Sequence, residues 1–88
     1  MATIVVRHRV GDFCTWIHAH KERAGIFGQG CSSFKMFQDV DEPKSVVLVF
    51  ETDEPGKLAA MMENPGFTEL KTSHTVIDPI VVSVEVNV

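Results

Sequence analysis

Three imidazoles hold most of the chemistry open to this chain. His8 stands in TIVVRHRV, where Ile4, Val6 and Val10 share its side of the alternation, so it is the one ionisable group on an apolar face. Burial disfavours an imidazolium, so a histidine there stays neutral near pH 7. It can then act as a general base, as a hydrogen-bond partner to a ligand, or as a satisfied core group. His20 falls on the inward stripe of the next segment, one turn past Trp16, and His74 stands just before the last apolar stretch. Two imidazoles in one place would give the acid and base that enolisation or ring closure needs. His8, His20 and His74 are therefore the catalytic candidates. Phe13, Trp16, Phe27, Phe34, Met36, Phe50, Met62 and Phe67 are the candidate substrate walls, flat or adaptable apolar side chains. Each of them also fits ordinary core packing.

Other chemistries find no pattern. His18 and His20 are two apart and point different ways on a helix, and neither HxxxH nor HExxH occurs. Gly25, Gly28 and Gly30 do not follow a strand and open a helix, so the dinucleotide and phosphate-loop readings fail. No GxSxG elbow is present. No metal and no organic cofactor is expected. Cys14 and Cys31 are too few for a disulfide scaffold and read as reduced, small, buried or half-buried hydrophobes.

The elements that must position these residues follow from periodicity. Thr3 to Val10 is β-branched and ends at Gly11-Asp12, which predicts a strand followed by an N-cap. Phe13, Trp16, Ile17, His20 and Ala24 mark one face of a helix that Gly25 can end. Cys31 to Gln38 predicts a second strand and Ser45 to Glu51 a third, joined by a proline-bearing turn short enough to imply an antiparallel hairpin. Asp53-Glu54-Pro55 starts a helix whose apolar face is Leu58, Met61 and Met62. Asn64-Pro65-Gly66 breaks it, and Phe67 to Thr72 gives another helical turn or two. Val76 to Val88 predicts a final strand, bent at Asp78-Pro79. The order β-α-β-β-α-β is the ferredoxin-like arrangement, an α+β fold with a four-stranded antiparallel sheet.

Alternation divides that sheet into two surfaces. One gathers Ile4, Val6, His8, Val10, Phe34, Met36, Val46, Leu48, Phe50, Ile80, Val82, Val84 and Val86, and the two helices must cover it. The other gathers Val5, Arg7, Arg9, Lys35, Phe37, Val47, Val49, Glu51, Val81, Ser83 and Glu85, and no helix remains for it. An apolar patch in the middle of that face predicts a two-fold homodimer packed sheet against sheet. A monomer with a partly wet sheet is the alternative.

Eighty-eight residues allow one domain, 1–88, and a chain this short gains much from a partner. The net charge of −4 gives no basic footprint, so nucleic acid is excluded as a partner. No apolar run approaches the roughly 18 residues of a membrane span. Met1 is not followed by a basic and then an apolar region, so no secretory signal is expected and the default reading is cytoplasmic.

The opening VRHRVGDFCTWIHAH resembles the start of small dimeric α+β barrel proteins of the antibiotic biosynthesis monooxygenase type. The similarity lies in a strand ending V-R-H-x-V, then Asp12-Phe13, then Trp16. The hairpin from Phe37 to Glu51, Asp53 with Leu58-Ala59, and the break Asn64-Pro65-Gly66-Phe67 are similar too. The resemblance implies a dimer of ferredoxin-like subunits with one pocket each, between sheet and helices. It also implies cofactor-independent monooxygenase, cyclase or isomerase chemistry on a compact aromatic or polyketide-like molecule, with His8 and Trp16 in the pocket. This chain has no Tyr, and its only Asn residues are Asn64 and Asn87, which departs from the Trp, Asn and Tyr surround of the monooxygenases. A non-catalytic dimeric module binding a small molecule or a protein is the alternative function.

Overall fold

A computed structural model describes residues 2–28 and 31–86. The chain runs β1 (Ala2–Val10), α1 (Phe13–His18), α2 (His20–Phe27), β2 (Ser33–Gln38), β3 (Ser45–Thr52), α3 (Pro55–Glu63), α4 (Pro65–Ser73) and β4 (Val76–Val84). The four strands form one antiparallel sheet in the order β2-β3-β1-β4. This is the ferredoxin-like α+β arrangement. Residues 30, 87 and 88, where a loosened loop and the end of the last strand were expected, lie outside the described residues.

The helix-covered face holds the core. Ile4, Val6, Val10, Val46, Leu48 and Phe50 are buried there beneath Trp16, Phe27 and Leu58. Residues directly opposite across the ladder, such as Ile4 with Phe50 and Val6 with Leu48, keep their side chains on the same face, so the apolar set stays together. One expectation fails at the edge. Val82 and Val84 share the inner face through their register with Val6 and Ile4, yet they are 50% and 56% exposed. They sit on an edge strand that the helical layer covers only in part, and Val86 follows the strand at 74% exposed.

The helices begin as the sequence requires and end differently. Asp12 caps α1, its carboxylate accepting from the Cys14 and Thr15 amides. Its pKa is lowered, chiefly by the hydrogen bond from the Thr15 hydroxyl. The helix does not run unbroken to Gly25. It turns at Ala19 (φ −88°, ψ 11°), and α2 then passes through Gly25 to Phe27. Asn64 caps α4 by accepting from the Gly66 amide, so the Asn-Pro-Gly break starts a full helix rather than a turn or two.

Two turns are tied together at one end of the sheet. Thr75, between α4 and β4, has φ 59°, a left-handed conformation unfavourable for a β-branched residue. Its carbonyl accepts from the Gly11 amide at 2.7 Å. Its hydroxyl accepts from the Asp12 amide at 3.2 Å and donates to the Asp12 carbonyl at 3.1 Å. Farther along β4 the register against β1 shifts. Arg9 faces Ile77 and Arg7 faces Val81, so Asp78, Pro79 and Ile80 all fall opposite His8. The bend expected at Asp78-Pro79 is this bulge, and it lies beside the site.

Candidate functional site

A cavity of about 260 Å³ opens between the inner face of the sheet and the helices. Val6 and His8 of β1, Trp16 of α1, Arg23 and Phe27 of α2, and Leu48 of β3 form its floor and one side. Met62 of α3, residues Phe67, Thr68, Leu70 and Lys71 of α4, then His74 and the β4 residues Val76, Ile80 and Val82 close the rest. Pockets for drug-sized ligands run from roughly 300 Å³ upward, so this volume suits a small molecule.

His8 and His74 both line this cavity and both are buried, at 5% and 3% exposed. The His8 Nδ1 lies 3.0 Å from the Arg9 carbonyl. A carbonyl only accepts, so Nδ1 carries the proton and Nε2 is the bare nitrogen of the neutral ring. Burial pushes the His8 pKa below the ordinary 6.5, against the raising effect of its bond to the Arg9 carbonyl, and the charge on Arg23 lowers it further. The ring edge faces Trp16, with centroids 6.2 Å apart at 74°.

His74 is bonded at both ends. Arg23 Nη1 lies 3.1 Å from His74 Nδ1, and His74 Nε2 lies 3.2 Å from Glu22 Oε1. A guanidinium only donates and a carboxylate accepts, so the imidazole is the Nε2–H tautomer with its lone pair turned to Arg23. Neither ring nitrogen is left over for a substrate.

Arg23 is the residue that sequence reasoning missed. It is 3% exposed, and its guanidinium carbon lies 4.0 Å from the centroid of the Trp16 ring, a cation–π contact. Desolvation lowers its pKa to about 10, against the raising effect of Glu22, so it stays charged at neutral pH. No carboxylate pairs with it directly among the described residues, since Glu22 reaches His74 instead. Its Nε and the Trp16 Nε1 are buried with no hydrogen-bond partner. Position held the only signal: Arg23 is seven residues past Trp16 and four before Phe27, the spacing of one helical stripe.

The other candidates divide. Trp16, Phe27, Met62 and Phe67 line the cavity with His8 and His74. His20 does not: it is exposed, and its Nδ1 donates to the Ile17 carbonyl at 2.8 Å, across the turn at Ala19. Phe13 packs on Trp16, ring to ring at 5.8 Å, behind the cavity wall. Phe34 and Phe50 stack at 4.8 Å and support Phe27 from the sheet. Met36 reaches the site only indirectly, its sulfur 3.5 Å from Arg23 Nη2. Of the cysteines, Cys31 is half-buried and donates to the Phe27 carbonyl, whereas Cys14 is exposed rather than packed. Among the described residues no three His, Cys, Asp or Glu side chains gather into a metal-ligand set.

No family profile and no curated protein matches this sequence. Solved structures do. A crystal structure of an antibiotic biosynthesis monooxygenase superposes with a TM-score of 0.75 over 100% of this chain and 99% of its own, at 16% identity. The chain has the fold of the antibiotic biosynthesis monooxygenases. SnoaB, a cofactor-independent oxygenase from Streptomyces nogalater, gives a TM-score of 0.73 at 16% identity, covering 99% of this chain and 94% of its own. A conserved protein from Methanosarcina mazei Go1 gives 0.62 at 13% identity over 96% of this chain and 89% of its own. At such identities the likeness carries the architecture, and the chemistry must be argued from the cavity.

Proposed function

We propose that this protein is a cytosolic, single-domain homodimer that acts without a cofactor on a compact aromatic or polyketide-like molecule, held between sheet and helices. The observation that supports this reading is the bare Nε2 of a neutral, buried His8 in a cavity that no Asp or Glu among the described residues lines. His8 takes a proton from an ionisable ring hydroxyl or an activated ring carbon. The electron-rich anion that results is the common starting point for oxidation by dioxygen, ring closure or isomerisation. In the oxygenase case one oxygen atom enters the ring as a carbonyl and the other leaves as water, and the substrate supplies all four electrons. The likeness of fold to a cofactor-independent oxygenase favours that branch. Val5, Phe37, Val47, Val49 and Val81 on the uncovered sheet face are half-buried or exposed and would be shared with a second copy.

The test is aerobic incubation with small hydroquinones and anthrones, with chelator present and no flavin, following oxygen uptake and products. The expected result is turnover by the wild type and a loss of at least about a hundredfold in His8→Ala, the usual scale of a general base. The melting temperature should fall by only a few degrees. No product from any substrate class, or an unimpaired His8→Ala, would refute the catalytic reading. One observation favours binding without turnover: His74 has both nitrogens engaged, so the site holds one free base rather than an acid–base pair. That case would show binding of the same molecules and no product.

A further inference from the structure

The charged side chains that line the cavity, Arg23 and Lys71, are both cations. His8, Arg23, Lys71, His74 and Thr68 face it, and no Asp or Glu does. Lys71 already pairs with Asp78 at 3.1 Å, outside the lining. Among the described residues Arg23 has no direct counter-charge, Glu22 acting on it only from the far side of His74, although a buried charge needs pairing and a buried N–H needs an acceptor. Two such N–H groups stand without a partner on neighbouring residues, the Arg23 Nε and the Trp16 Nε1. The guanidinium is also held in place. Its Nη1 is fixed on His74, which Glu22 braces from the other side, and its flat face lies on the Trp16 indole. Its Nη2 meets only the Met36 sulfur, at 3.5 Å, so a cation held this firmly still has no oxygen acceptor among the described residues, and it matches a planar oxygen anion.

We propose that the cavity binds its ligand as an anion, an ionised oxygen on a small flat ring, with the Arg23 guanidinium as its receptor and the His74–Glu22 pair as the brace behind Arg23. This rests on the reading of the cavity as a ligand site and narrows its ligand class to ring carboxylates and phenolates. Ordering of the ring is left to the apolar walls, Phe27 and Phe67 above all, which meet edge to face at 6.1 Å.

Calorimetric titration of the wild-type protein with 2-naphthoate and with the neutral isostere 2-naphthamide tests it. The acid should bind at least about tenfold more tightly than the amide, the scale of one hydrogen bond to a charged group. In Arg23→Met that preference should disappear, and Arg23→Lys should recover part of it. A second series, 4-nitrophenol below and above its own ionisation, separates a phenolate from a carboxylate source, and tighter binding of the ionised form supports the same inference. If the amide binds as well as the acid and ionisation of the phenol changes nothing, the inference fails while the cavity remains a ligand site. If no aromatic binds at all, the cavity reading fails and the inference with it. The acid–amide comparison on the wild type decides the matter even if the Arg23 variants do not fold.

Discussion

His8 is held by opposing demands. Its place on the inner sheet face costs it hydration, and its Nδ1–H recovers one hydrogen bond from the Arg9 carbonyl. The lowered folded-state pKa has a consequence for stability. An unfolded chain takes up a proton at His8 near pH 6.5, before the folded chain does, so acid favours unfolding. The contribution is fully present above about pH 6.5 and is lost as the pH falls from there toward the lower folded-state value. Urea midpoints compared at about pH 7.5 and about pH 5 should fall on the acid side, and His8→Asn should remove part of that fall. An identical pH slope in the variant would show that His8 is not the group responsible. Arg23 shows the opposite balance: it keeps its charge in the same surroundings, through the Trp16 face and the His74 lone pair.

At the scale of elements, the turn carrying Thr75 holds the site together. It joins the end of α4 to the start of α1 and delivers His74 to the cavity. A left-handed β-branched residue is retained there because its hydroxyl serves both the amide and the carbonyl of Asp12. Thr75→Val keeps the shape and loses both bonds, so urea unfolding should show a loss of roughly 2 kcal/mol. A variant as stable as the wild type would mean that the bonds are replaced by water. The elements were largely legible in the sequence. Binary alternation marked β1 and β3, Asp12 marked the first cap, and Asp78-Pro79 marked the bend in β4. The helical stripe was legible only in part. The turn at Ala19 leaves His20 outside, bonded to Ile17, while Arg23 and Phe27 go in. Hydropathy alone assigns an arginine to solvent, and only its cation–π contact with Trp16 and its bond to His74, 51 residues away, explain its burial.

At the scale of the molecule, the sheet has one covered face and one uncovered. On the uncovered face Val5 lies opposite Val49, and Val47 and Val81 flank Arg7 from β3 and β4, with Phe37 beside Val47 at the β2 edge. Arg9 on this face finds Glu42 in the adjoining turn at 3.7 Å, so the surrounding charges are partly satisfied within one subunit. Around Arg7 the face is otherwise apolar, which is the pattern of a face awaiting a copy of itself. Sedimentation at low micromolar concentration should give a dimer, and Val49→Asp, placing a charge in the middle of the face, should give a folded monomer. A wild-type monomer under those conditions would contradict the proposed assembly. The cavity lies on the opposite face of the sheet, so loss of the dimer need not remove it.

The bond from Arg23 to His74 joins positions 51 residues apart. It also joins the two βαβ halves of the chain, one supplying the cation and the base, the other the imidazole brace and α4. The sheet is interleaved in the same way, since β1 lies between β3 and β4, both from the second half. Neither half therefore contains a smaller version of the site, and partial folding yields no partial function. The cavity belongs to contacts of long sequence separation, which close late because the loop entropy must be met first. A full-length chain cleaved between the halves or not yet folded would carry every one of these side chains and still have nowhere to bind a ligand.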